Sequence, residues 1–224
     1  MYTLLLLLIY LAFISLGLPD SLLGSAWPVM HEAFQVPLSY AGLVTMIISG
    51  GTICSSLLSE RLTKKLGTQI VTVCSVLLTA VALFGFSTAS AFWMLCIWAI
   101  PYGLGAGAID AALNNYVALH YNSRHMSWLH CFWGLGTIIS PYVMSYALTT
   151  SVWQNGYRMV SFIQFGIVII LFLTLPVWKV NQKTSVQQEE ALEEMVGIKG
   201  ALKIKGVPNS FTWSFSHTVH WNLL

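Results

Sequence analysis

Two carboxylates occupy positions where acidic side chains are rare. Asp20 and Asp110 each lie inside a long apolar run, with no adjacent Lys or Arg to neutralise them. A charge at the centre of a lipid bilayer costs about 2.5–3.5 kcal/mol on insertion scales. Each carboxyl therefore either faces an internal water-filled cavity or carries a proton. In a cavity that alternates between wet and dry, such a group can bind and release a proton; otherwise it only hydrogen-bonds a neighbouring helix. Asn114 follows Asp110 by one helical turn, so the two could jointly hold a hydroxyl-rich solute or a proton. His130 is a further proton or solute partner near neutral pH, or a satisfied polar residue at the membrane surface. Trp27, Trp98 and Trp133 lie deep enough in apolar segments to stack on a sugar ring, or simply to pack.

The elements that must position these residues follow from composition. The chain has 224 residues, 56% hydrophobic and 8% charged, where a soluble domain carries about 25% charged residues. Ten basic against eight acidic side chains is too small an excess for a phosphate-neutralising surface, which excludes a nucleic-acid partner. Cys54, Cys74, Cys96 and Cys131 stand singly in apolar runs, without CxxC spacing, and read as small lipid- or core-facing residues. His125 and His130 are five apart, so they do not share a helix face as metal ligands, and no metal or cofactor is expected.

A spanning helix needs about 20 apolar residues, and six candidate spans can be read: 3–28, 40–58, 69–87, 92–117, 128–150 and 157–178. The chain is expected to be an all-α membrane protein with a six-helix bundle over 1–178. The start has no Lys or Arg before its apolar run, so it reads as a retained helix and not as a secretory signal. Pro19 and Pro28 bracket Gly17, Asp20, Gly24 and Ser25, which predicts a kinked or locally unwound first span. In the fourth span Gly103, Gly107 and Ala111 recur every four residues and offer a smooth face for close helix packing. Gly103, Ala106, Asp110 and Asn114 share the adjacent face. The Gly-x-Gly-x-Gly string there is not a dinucleotide loop, because no strand precedes it.

Charge placement orients the bundle. Arg61, Lys64, Lys65, Arg124, Lys179, Lys183, Lys199, Lys203 and Lys205 flank one end, and Arg158 alone flanks the other. By the positive-inside rule both termini are cytoplasmic, in a multi-pass protein of the plasma membrane. Trp93, Trp128, Trp153 and Trp178 sit near span ends, as headgroup-level aromatics do.

Several features resemble the major facilitator superfamily, in particular its fucose permease-like sugar transporters. They are the Gly-Leu-Pro-Asp-Ser-Leu-Leu-Gly run at 17–24 with Trp27-Pro28, the fourth-span pattern from Gly103 to Asn114, and Arg158, Gln164, Pro176 and Trp178 in and after the sixth span. The resemblance covers about residues 1–207. It implies one half of the superfamily fold, made of two three-helix repeats, that moves a small polar solute such as a sugar by alternating access. Asp20 and Asp110 match acidic positions of proton-coupled members, which implies symport, with Asn114, His130, Trp27 and Trp133 as solute-binding candidates. The loop signature between the second and third helices keeps its charges in Glu60, Arg61, Lys64 and Lys65 but has Ser56 and Thr63 where the family has glycine. These four would form a cytoplasmic gating loop. The antiporter motif of the fifth helix is only partly present, as Gly136, Ser140 and Pro141.

Residues 179–207 read as the central cytoplasmic connector, with Glu189, Glu190, Glu193 and Glu194 followed by Lys199, Lys203 and Lys205. Residues 208–224 are too short and polar for a seventh span, which is the expectation for a truncation or frameshift. A lone half is expected to be inactive as a monomer and to need a second half or a second copy. The alternative is a membrane sensor or assembly partner that binds without transporting. An enzyme is not expected, since the chain has no HExxH and no convincing Ser/His/Asp cluster.

Overall fold

Every apolar run read from the sequence folds as helix, because a backbone in lipid must satisfy its own N–H and C=O groups. The computed structural model describes residues 2–175. The readings made for Pro176, Trp178, the connector and the tail lie outside the described residues. The helices are α1 (Tyr2–Asp20), α2 (Leu22–Ala33), α3 (Ala41–Leu66), α4 (Thr68–Ser87), α5 (Phe92–His120), α6 (Ser123–Thr150) and α7 (Trp153–Leu173), with a 3-10 turn at Leu38–Tyr40. Among the described residues there is no strand, and six segments are long and apolar enough to cross a membrane.

α1 and α2 form one span, broken at Ser21, two residues after Pro19. The Ser21 hydroxyl donates to the Thr137 carbonyl at 2.7 Å, so the break is secured from α6. The helix does not stop at Pro28 as read from the sequence but runs to Ala33, since membrane helices accept an internal proline. α6 likewise begins at Ser123, before the expected 128, and α7 at Trp153, before 157. The earlier start of α6 places Arg124 on a helix and not in a connection, and Arg158 lies in the second turn of α7. Trp153 is the first residue of α7, at a span end as expected; it is buried and packs edge-on against Phe34, with centroids 5.4 Å apart.

The expected gating loop is also helical. Glu60, Arg61, Lys64 and Lys65 occupy the last turns of α3, where Lys64 pairs with Glu60 at 3.1 Å. Gly67 alone links α3 to α4. Its φ of 84° is a conformation that glycine adopts without strain, and it ends the helix there.

Two of the close helix pairings join spans that are not consecutive in sequence. α1 packs on α6, and α3 packs on α5, each through glycine. A Cβ on Gly17 would overlap the Trp133 carbonyl, and one on Gly103 would overlap the Ile48 carbonyl. Gly136 abuts α1 near Ile14 and Gly17, and Gly51 abuts α5 at Gly103. Ser21 meets the Thr137 carbonyl where Gly107 meets that of Thr52. The two sets match residue for residue: Gly17 with Gly103, Ser21 with Gly107, Gly51-Thr52-Ile53 with Gly136-Thr137-Ile138. The first three spans and the last three are therefore two copies of one packing scheme.

α4 and α7 support this layer from behind. Gln164, fully buried on α7, donates to the Ser15 carbonyl at 2.7 Å and accepts from the Thr79 hydroxyl at 3.1 Å. Ser161 donates to the Ala80 carbonyl at 2.9 Å. By contrast, only 11% of the apolar window of α3 and 22% of that of α6 is buried, against 61% for α4, so α3 and α6 present uncovered faces.

Candidate functional site

A cavity of about 330 Å3 opens between α1, α3, α5 and α6. Phe13, Leu16 and Ile48 supply apolar wall, and Ala106 a small side chain. The polar groups converge from four helices: Asp20 from the end of α1, Thr52 from α3, Tyr102 and Asp110 from α5, and His130 and Trp133 from α6. Among the described residues no Lys or Arg lines it.

The break at Ser21 places Asp20 at a helix end, where its carboxylate reaches across to both neighbours. Oδ1 accepts from the Tyr102 hydroxyl at 2.8 Å and Oδ2 from Trp133 Nε1 at 2.8 Å. Tyr102 is buried, while Trp133 keeps 38% of its surface exposed, so its ring remains open to the cavity. Both oxygens of Asp20 are thus engaged by fixed donors, and the side chain ties α1 to α5 and α6.

Asp110 is held differently. Asn114 Nδ2 donates to its Oδ1 at 2.9 Å along the same helix, and its Oδ2 has no hydrogen-bond partner among the described residues. One oxygen is anchored and the other is left for a proton or a solute hydroxyl. His130 lines the same cavity and packs edge-on against Phe13, with centroids 6.3 Å apart.

Of the residues proposed from sequence, Asp20, Asp110, His130 and Trp133 come together at this cavity. Asn114 does not line it; it contacts the site only through Asp110. Trp27 stands apart: it is buried, and Nε1 donates to the Leu38 carbonyl at 2.7 Å, which ties α2 to the 3-10 turn. Gly103 and Gly107 lie against α3, outside the cavity wall, and Ala111 is half-buried on α5. Glu60, Arg61, Lys64 and Lys65 are exposed at the end of α3. The polar lining residues that sequence reasoning passed over are Thr52 and Tyr102, and for Tyr102 the sequence did carry a signal. That signal was the four-residue step Tyr102, Ala106, Asp110, Asn114, which sets all four on one stripe of α5. No group of three or more His, Cys, Asp or Glu capable of holding a metal occurs among the described residues.

The sequence model of the major facilitator superfamily matches residues 9–222. The chain belongs to the major facilitator superfamily. It is 24% identical over 163 residues to Bypass of stop codon protein 6 of Saccharomyces cerevisiae, covering 71% of this chain and 33% of that protein. It is 22% identical over 166 residues to the glucose/mannose transporter GlcP of Bacillus subtilis, covering 73% of this chain and 40% of GlcP. Among solved structures, a mutant of the peptide transporter POT in complex with sulfate superposes with a TM-score of 0.60 at 15% identity. That match covers 92% of this chain and 49% of POT, and it concerns the fold alone. This superfamily chain therefore spans a third to a half of the length of these relatives. In this chain α1 and α5 bring Asp20 and Asp110 to one cavity.

Proposed function

We propose that the chain forms the amino-terminal half of a secondary active transporter that moves a small polar solute together with protons. The observation that carries this reading is the cavity of about 330 Å3 in which one carboxylate is fully held by donors and the other keeps an oxygen open. In this scheme Asp110 binds the proton on Oδ2, with Asn114 holding the opposite oxygen in place. Asp20 keeps Trp133 oriented, and the exposed ring face of Trp133 receives the apolar face of a sugar. His130 hydrogen-bonds the solute. Similarity to a glucose/mannose transporter supports a hexose as the first solute to try. The uncovered face of α3, and that of α6 from Leu135 to Tyr142, receive a second six-helix half or a second copy. The excess of basic residues at one end supports cytoplasmic termini in the plasma membrane.

The test is uptake into proteoliposomes that hold the chain assembled with a second half. Asp110→Asn keeps the hydrogen bond to Asn114 within reach but cannot carry a proton at that oxygen. Proton-driven accumulation is expected to vanish while solute exchange at equal pH persists. Accumulation by Asp110→Asn at the unaltered rate would overturn the coupling role. Uptake by a demonstrated monomer would overturn the reading as a half.

A further inference from the structure

A second cavity, about 300 Å3, lies at the opposite end of the bundle from Arg61, Lys64 and Lys65, where α6 turns into α7. Its lining is graded. Thr150, Ser151, Asn155 and Arg158 surround the outer end, and Tyr146 and Phe162 lie further along the two helices. Arg158 is exposed and has no ion-pair partner among the described residues, and no Asp or Glu lines the cavity. The neighbouring polar groups are already arranged: Asn155 Nδ2 donates to the Ser151 hydroxyl at 2.7 Å, and the Thr150 hydroxyl donates to the Tyr146 carbonyl at 2.7 Å. The guanidinium is therefore the group with unmet demand.

An unpaired cation at a membrane boundary, with polar side chains around it and aromatic surface beneath, complements one abundant molecule. We propose that this groove seats a membrane phospholipid, with Arg158 on the phosphodiester and an acyl chain laid along Tyr146 and Phe162. Guanidinium binds a phosphate through two parallel N–H donors, and a long side chain near a helix end carries its charge to headgroup level. Phe162 is 60% and Tyr146 60% exposed, so the apolar part of the groove is open along its length. The lipid would fasten the α6–α7 turn without entering the central cavity.

Native mass spectrometry of the purified chain, released from micelles containing equal phosphatidylglycerol and diacylglycerol of the same acyl chains, tests this. The expected result is retained phosphatidylglycerol with at least a tenfold preference over diacylglycerol. Arg158→Ala should abolish that preference, Arg158→Lys should keep part of it, and Thr150→Trp, which fills the groove without touching the charge, should also lose it. Circular dichroism confirms that each variant is folded. Retention by Arg158→Ala at the unaltered level would overturn the proposal. So would displacement of the lipid by millimolar inorganic phosphate, which would make this a site for free anions, or a crosslink from position 158 to a protein segment instead of lipid.

Discussion

The helix pairing of α3 with α5 sets up a sharp contrast between two glycines. At Gly107 a Cβ would lie 2.7 Å from the Thr52 Cα and would overlap the Thr52 carbonyl and Ser55 hydroxyl oxygens. Carbon atoms settle at about 3.5–4.0 Å, so Gly107→Ala forces the two helices apart by roughly 1 Å. Overpacking of this kind costs about 1–3 kcal/mol. The same separation stretches the bonds from Ser56 to the Gly107 carbonyl and from Ser59 to the Ala108 carbonyl, both 3.1 Å. Interhelical hydrogen bonds in membranes are worth about 0.6 kcal/mol each on average. Alanine returns about 0.5–1 kcal/mol of helix propensity, leaving a net loss of roughly 1–3 kcal/mol. At Gly50, on α3, nothing lies within 4 Å of a built Cβ, so Gly50→Ala should gain about 0.5–1 kcal/mol. The two variants should therefore differ by about 1.5–4 kcal/mol, tenfold or more in the unfolding equilibrium. Unfolding of each purified variant in lipid bicelles, followed by circular dichroism, measures the difference. Equal stability of the two variants would refute the argument that backbone proximity, and not helix propensity, decides glycine at these positions.

Two further substitutions separate tryptophans that look alike in the sequence. Trp133→Phe removes the donor on Asp20 Oδ2 and loosens the α1–α6 link; solute binding measured by isothermal titration should weaken by about tenfold, the effect of roughly 1.5 kcal/mol for a bond to a charged group. Trp27→Phe removes the bond to the Leu38 carbonyl; stability should fall by about 1 kcal/mol in the bicelle unfolding assay while solute affinity is unchanged.

Hydropathy made the six spans legible, because a lipid environment leaves helix as the available backbone solution for such runs. The scarcity of charge made Asp20 and Asp110 stand out for the same reason. Helix ends were less legible. Pro28 reads as a terminator in water but is accommodated inside α2, and the charged residues before Gly67 read as a loop because polarity, not backbone geometry, drew the boundary. Trp27 could not be placed, since its partner is a carbonyl presented by the 3-10 turn eleven residues on, and carbonyls leave no mark in a sequence. The Tyr102–Asp20 bond joins residues 82 apart and depends on α1 and α5 meeting beside the break at Ser21. The duplication was implied by the family resemblance but left little trace in the residues: beyond the Gly-Thr-Ile triplets and the Gly17–Gly103 pair, the matched positions share a contact and not a residue type.

That duplication is broken where the acids sit. Matching Gly17 with Gly103 and Ser21 with Gly107 puts Asp20 opposite Ala106 and Asp110 opposite Gly24. The equivalent helices are the first and the fourth spans, with two spans between them, so they cross the membrane in opposite directions and one copy is inverted relative to the other. A perfectly duplicated bundle would be chemically the same from either side, and an ion arriving from above would meet what an ion arriving from below meets. Displacing one acid by a single helical turn removes that equivalence, so the two ends of the same scaffold are chemically distinct.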